Sequence, residues 1–260
     1  VHEVAAAVAR RTQEVASAIR ALDRQSLLGP SLLPGWSRLT VLCHLRYGAS
    51  ALLRMTAEAL AGEPTSYYPE GRAAQRPGTL GPQAGESGRA VADSLGDIGA
   101  ALDAAWAPLR DDQWQTLVVE PPDNPDLGTR SLLEIAVLRL TEVEVHGTDL
   151  DIGLSDWSDV FVRTALPLRM ERLRTRRVAG EPLSASWQFD VNDGPSYLVT
   201  VDGSTVDVWE ARSVEAAVRW STTSRDLLAL LLGRPTIGAS QSATSNPELV
   251  EAFGRAFPGP

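Results

Sequence analysis

Lysine is absent from this chain: all 24 of its basic residues are arginine. That excludes Schiff-base chemistry, a P-loop lysine and a kinase-type lysine. Cysteine is nearly absent too, since Cys43 stands alone; an internal disulfide and a cysteine-rich zinc site are ruled out, and a reducing compartment fits. Long apolar runs are missing: the stretch Leu227 to Leu232 is far too short to span a bilayer. The N-terminus is charged and amphipathic, without an apolar core followed by a cleavage site, so the expected location is the cytoplasm. Positive charge is also in deficit. A net charge of -9 and a sequence pI near 4.9 argue against a nucleic-acid or membrane-surface partner. What remains is ample apolar sequence, 43% of 260 residues, enough to give one large domain or two modest ones a real core.

Along the chain, Val4, Val8, Val15, Ile19 and Leu22 form a helical stripe, which predicts a first helix from about residue 2 to about 23. Gly29-Pro30 and Pro34-Gly35 punctuate a loop, and Ser37 then offers an N-cap for a helix carrying Leu42, Leu45, Ala49, Leu52 and Met55. His44 falls in its second turn and shares a face with Gly48 and Ala51, small residues that leave room for a ligand beside the imidazole. The Pro- and Gly-rich segment from Gly62 to Gly85, which carries Tyr67, Tyr68, Arg72 and Arg76, is longer than a helix connection needs and is a candidate lid. Val91, Leu95, Ile98, Leu102, Trp106 and Leu109 define a third helix, and Ser131 with Glu134 gives a capping box for a fourth that ends at Gly147 or soon after.

Beyond Asp151 the pattern changes. A fifth helix from about Trp157 to about Arg177 is kinked by Pro167 and ends in the cluster Arg172, Arg174, Arg176 and Arg177, read as a solvated helix end. Alternation then takes over at Trp187, Phe189, Val191, at Tyr197, Val199, Val201, and after the Asp202-Gly203 turn at Val206 and Val208, predicting a small antiparallel sheet. Val218 and Trp220 add a strand, Ser224 caps a short helix that stops at Gly233, and Asn246-Pro247-Glu248 opens a last one. The expected fold class is therefore α+β, with a four-helix bundle over residues 1–153 and a smaller α+β domain over 154–260.

Chemistry concentrates between Arg139 and Asp149. On a helix Arg139, Glu142, His146 and Asp149 are spaced i, i+3, i+7, i+10 and share one face. Glu142 and His146 can grip one metal ion, and with His44 they fill three positions of a divalent metal while leaving the rest open, the pattern of an active site. Taken alone, His44 reads more readily as a hydrogen-bonded core histidine than as a ligand. Asp149 can orient a ligating imidazole. Glu144 lies off the His146 face and is assigned to solvent or to outer support. Cys43 points about 100° away from His44 and reads as a buried structural thiol. The seven tryptophans read as core anchors.

Leu33-Pro34-Gly35-Trp36-Ser37-Arg38, the His44 after it, Tyr68-Pro69-Glu70-Gly71-Arg72, and the segment from Glu142 through His146 to Asp149 and Leu150 together resemble the mycothiol-dependent maleylpyruvate isomerase family. The bundle of that family belongs to the DinB-like metal-binding superfamily. Leu231-Leu232-Gly233-Arg234 and the closing Phe253 to Pro258 segment resemble its small C-terminal domain. The resemblance implies that His44, Glu142 and His146 bind a divalent metal, zinc being the expected ion, and that the open position takes the sulfur of mycothiol. It implies that Arg72 and Arg234 hold a dianionic substrate. The thiolate then adds to an activated double bond, the resulting single bond rotates, and loss of the thiolate leaves the trans isomer, with arginine forks stabilising the enolate. Thr141 stands where the isomerase pattern has an arginine, and the family also resembles mycothiol S-transferases, which use the same metal and thiol. A non-catalytic metal sensor or scaffold is the alternative of another class. The expected partners are a small-molecule substrate and a low-molecular-weight thiol, with neither nucleic acid nor membrane, in a monomer or small homo-oligomer.

Overall fold

The structure is a computed structural model that describes residues 1–175, 178, 183–211, 215–234, 241–244 and 248–259. The chain divides into two compact units, Val1–Phe161 and Val162–Pro260. The fold class is α+β: the first unit is helical, and the second combines a sheet with helices.

In the first unit, α1 (His2–Arg20) ends three residues short of the predicted limit. The chain instead turns into a short α2 (Arg24–Leu28), started by Asp23, whose carboxylate accepts the Ser26 N–H at 2.7 Å. Then comes α3 (Arg38–Leu60), whose N-cap is Ser37 as the sequence predicts, its Oγ accepting the Thr40 N–H at 3.1 Å. The candidate lid contains α4 (Arg72–Thr79), which buries no residue and so shows no apolar stripe to read. Next are α5 (Gly88–Trp106), capped by Ser87, and a small ladder of β1 (Leu117–Val118) with β2 (Arg130–Ser131). The capping box at Ser131 and Glu134 forms as predicted and opens α6 (Leu132–Asp149).

Helix contacts give the bundle its cyclic order. Both α1 and α3 pack on α5 and on α6, so these four long helices enclose one core. At its end Trp106 and Trp114 are buried 5.8 Å apart, and Trp106 Nε1 donates to Thr56 Oγ1 at 3.0 Å. Gly99 lets α5 approach α1 closely: a Cβ there would stand 2.5 Å from Thr12 Cγ2.

The helix predicted from Trp157 to Arg177 is α7 (Asp159–Leu173), which continues through Pro167. Arg172 and Arg174 are exposed, and Arg176 and Arg177 lie outside the described residues. The sheet is mixed, where an antiparallel one was expected. Its order is β5-β4-β3-β6-β7, formed by β3 (Leu183–Val191), β4 (Tyr197–Gly203), β5 (Thr205–Glu210), β6 (Val218–Thr222) and β7 (Gln241–Thr244). Neighbours β3 and β6 run parallel, in a register that sets Trp187 beside Val218. Trp187, Phe189, Val191, Tyr197, Val199, Val201, Val206, Val208, Val218 and Trp220 are all buried, as period-two alternation requires of one covered face. A short helix, α8 (Ser224–Leu231), is capped by Thr223, one residue before the predicted cap. The last, α9 (Glu248–Ala256), presents Phe253 to Trp187, Phe189 and Trp220, with ring centroids 5.1 to 5.8 Å apart. The predicted opening at Asn246-Pro247 lies outside the described residues.

Candidate metal centre

Helices α3 and α6 carry His44 and His146. On α6, Glu142 and His146 are four residues apart and fall on one face. The last turn of that helix is tied down: Leu32 N–H donates to Asp149 O at 2.8 Å, and Arg38 Nε donates to Leu150 O at 2.7 Å. Carbonyls left open by the helix end are thereby satisfied by the loop that leads into α3. That loop also brings Trp36 edge-on to His44, centroids 5.7 Å apart.

Across the α3/α6 contact, His44 Nε2 lies 2.8 Å from Glu142 Oε2, and His146 Nε2 lies 3.5 Å from the same oxygen. One ligating atom from each of His44, Glu142 and His146 falls within 4.8 Å of the other two. The imidazoles are nearly perpendicular, with centroids 5.0 Å apart. Their far sides differ. His146 Nδ1 faces Asp149 Oδ2 at 2.9 Å, and that carboxylate is buried. The side chains of His44 and His146 are about one-sixth exposed and that of Glu142 is 41% exposed, yet its carboxyl group is packed against both imidazoles.

Charge follows from this packing. Burial alone would raise the Glu142 carboxyl, but hydrogen bonds from His146 and His44 outweigh it and hold the group well below the usual carboxylate range. Burial alone would lower His146, whereas Asp149 and Glu142 lift it to about 9. Two imidazoles and a carboxylate converging with their ring Nε2 atoms and one Oε2 suit a borderline divalent ion such as zinc.

Other residues fall less simply. Arg72, the first residue of α4, is mostly exposed; its Nη1 pairs with Asp126 Oδ1 at 2.6 Å, and its guanidinium lies 5.7 Å from the Tyr68 ring centroid. Arg234 belongs to the second unit, where its Nη1 donates to Leu232 O at 2.9 Å. For Glu144 the solvent alternative is corrected. Only 1% exposed, it accepts from the Ser158 hydroxyl and lies 3.3 Å from Arg11 Nε, because α6 is buried around most of its circumference. Cys43 is fully buried, and its thiol is pushed up to about 11 by that burial. Among the tryptophans, Trp36 is half-buried beside His44 and Trp209 is 45% exposed, so these two are not core anchors.

The room expected at Gly48 is already taken. A Cβ on Gly48 would stand 3.0 Å from Tyr67 Oη and 3.2 Å from Arg139 Nη1. Arg139 is 1% exposed and donates from Nη1 to Leu45 O at 2.9 Å. Tyr67 packs against Tyr47 and Tyr68, and burial together with the Glu142 charge raises its phenol, which stays protonated. The sequence signals behind this pair were Gly48 on the His44 face and Arg139 on the Glu142 face, but nothing local joins them to Tyr67.

A family model, the mycothiol maleylpyruvate isomerase N-terminal domain, matches residues 8–151, more than half of the chain. The chain belongs to this family. The match to the mycothiol maleylpyruvate isomerase N-terminal domain spans α3, α5, α6 and α1 from residue 8 onward, with every residue of the His44, Glu142, His146 cluster. Among solved structures, the crystal structure of the mycothiol-dependent maleylpyruvate isomerase aligns with a TM-score of 0.68 at 22% identity, covering 94% of this chain and 93% of that one. A histidine-to-alanine mutant of that enzyme aligns with the same score, identity and coverage. These likenesses establish a shared fold over nearly the whole chain. No curated protein matches the sequence.

Proposed function

We propose that this member of the family is a cytoplasmic, mycothiol-dependent metalloenzyme in which His44, Glu142 and His146 hold a divalent ion, with maleylpyruvate cis-trans isomerisation as its reaction. The reading is carried by one observation: a two-histidine, one-carboxylate cluster drawn from two helices, its ligating atoms within 4.8 Å of one another. Family membership and the fold shared with the mycothiol-dependent maleylpyruvate isomerase support the thiol and the substrate. A zinc ion held there would favour the thiolate form of a bound thiol at neutral pH, supplying a nucleophile that buried Cys43 does not.

The protein's own groups then have distinct tasks. Asp149 keeps a proton on His146 Nδ1, which leaves Nε2, the nitrogen on the Glu142 side, as the one that would ligate a metal ion once it gives up its own proton. Trp36 walls His44 on one side and keeps bulk water from that imidazole. Arg72 supplies a guanidinium fork for a carboxylate of the substrate. The test is to incubate zinc-loaded protein with maleylpyruvate, with and without mycothiol. Thiol-dependent loss of the enol absorbance is expected; its absence rejects isomerisation.

A second reading is favoured by the Arg72–Asp126 pair. A guanidinium already engaged with a carboxylate at 2.6 Å must give up that partner before it can grip a dianion. A mycothiol S-transferase acting on an uncharged electrophile needs no such exchange. That reading predicts a stable thiol adduct, detected by mass spectrometry, in place of an unmodified isomer.

A further inference from the structure

Behind the metal centre stands a buried cation with too few partners. Arg139 enters the bundle from α6 one turn before Glu142, and of its guanidinium nitrogens only Nη1 has a hydrogen bond. Nε and Nη2 are buried without one. A buried guanidinium in this state is expensive unless an anion shares its surroundings. Glu142 is near enough to interact electrostatically with Arg139, but it faces the two imidazoles.

Tyr67 interacts with both. Its ring is within electrostatic reach of both Glu142 and Arg139, and its Oη shares the space over Gly48 with Arg139 Nη1. Although Tyr67 is in a loop, its backbone is held on both sides: the N–H donates to Glu120 Oε1 at 2.9 Å, and the carbonyl accepts from Tyr47 Oη at 2.7 Å. Neighbouring Ser66 O accepts from Arg54 at 2.6 Å. The hydroxyl is thus aimed by its backbone and ring contacts. A loop residue fixed so fully, with its donor beside a buried cation and within electrostatic reach of Glu142, has the form of a preorganised binding group.

We propose that Tyr67 Oη, backed by the positive charge of Arg139, is an oxyanion-binding group beside the His44, Glu142, His146 cluster and donates a hydrogen bond to a ligand carboxylate. The inference rests on the metalloenzyme reading above and adds to it two groups that would hold a carboxylate of the substrate. Tyr67 is then a binding residue. Arg139 is a positioning residue that acts through it, since a fixed cation behind a phenol strengthens the hydrogen bond to an anion. Gly48 belongs to the same device, because any side chain there would push the two groups apart.

Maleate serves as the probe, titrated calorimetrically into zinc-loaded protein. A hydrogen bond to a charged ligand accounts for roughly a tenfold to hundredfold change in affinity. Tyr67→Phe, which removes one hydroxyl, should weaken maleate binding by about that factor while zinc content stays at the wild-type level. Arg139→Met should weaken it as well, with a much smaller effect in the Tyr67→Phe background, and Arg139→Lys should restore part of the loss. If Arg139→Met does not fold, Tyr67→Phe decides alone. Zinc-loaded wild type that binds no maleate, or Tyr67→Phe that binds it as tightly as wild type, overturns the proposal. Wild type that takes up no zinc overturns both the metalloenzyme reading and this inference.

Discussion

His146 Nδ1 and Asp149 Oδ2 stand 2.9 Å apart on consecutive turns of α6, with the carboxylate wholly enclosed. A buried carboxylate on the far side of an imidazole fixes both its tautomer and its ring plane. Asp149→Asn keeps the shape of that contact and removes its charge. Zinc affinity, measured by chelator competition, should fall about tenfold to a hundredfold, the usual effect of losing such a partner. An unchanged affinity would remove Asp149 from the site.

The pH dependence of metal uptake has a definite sign. His146 titrates near 9 in the folded metal-free chain, against an ordinary value of 6.5. The protonated imidazole therefore contributes stability that is fully present below pH 6.5 and is lost as pH rises through about 9. Ligation needs Nε2 without its proton, so metal uptake should release a proton, and affinity should rise about tenfold per pH unit from neutrality until it levels off near pH 9. Calorimetry in buffers of different ionisation enthalpy reads the proton directly. Zinc affinity that is flat between pH 7 and 9 would contradict the raised imidazole.

Glu120 organises the loop that carries Tyr67. Its Oε1 accepts from Tyr67 N–H, and its Oε2 accepts from the N–H groups of Asp126, Leu127 and Gly128 at 2.6 to 2.7 Å. Glu120→Gln points an amide NH2 at donors that need an acceptor. The expected cost is about 2 to 4 kcal/mol of stability in urea denaturation, because buried N–H groups lose a charged partner. Hydrogen exchange should quicken at residues 126–128, whereas the amides of α5 should keep wild-type protection.

Where α1 meets α5, Gly99→Ala tests packing against helix propensity. Alanine is favoured over glycine in a helix by about 1 kcal/mol. Here, however, its Cβ would sit 2.5 Å from Thr12 Cγ2. Overpacking of this kind costs typically about 1 to 3 kcal/mol, so the variant should be less stable than wild type. Thr12→Ser deletes the obstructing methyl and should turn Gly99→Ala into a stabilising change. Failure of that rescue would mean the helices separate more easily than the packing implies.

Local chemistry explains which features were legible in the sequence. Ser37, Ser131 with Glu134, and the Val91 to Leu109 stripe each state their role within a few residues, and the helices they specify form, the last ending at Trp106, short of Leu109. The angular match of Glu142, His146 and Asp149 on one helix face was equally readable. Features set by distant partners were not. The parallel pairing of β3 with β6 depends on which strand occupies the middle of the sheet, a choice that alternation within either strand does not encode. Helix α4 buries nothing and contains Pro77, leaving no stripe. For Glu144 the choice between solvent and outer support stayed open because a helix wheel shows directions and not neighbours; Arg11 and Ser158 enclose it. Tyr67 and Arg139 meet only through a gap in α3 at Gly48, which the sequence offered as empty room.

The contact between His44 and Glu142 joins residues 98 apart in sequence. An ion gripped by both helices would therefore act as a crosslink. In chain-entropy terms, tying off a loop of about 100 residues disfavours the unfolded ensemble by roughly 4 to 5 kcal/mol, as a disulfide of that span would. With one cysteine, the chain cannot form such a covalent tie within itself. Its metal centre would then be a reversible staple, closed or opened by the supply of ions rather than by the redox state of the cell.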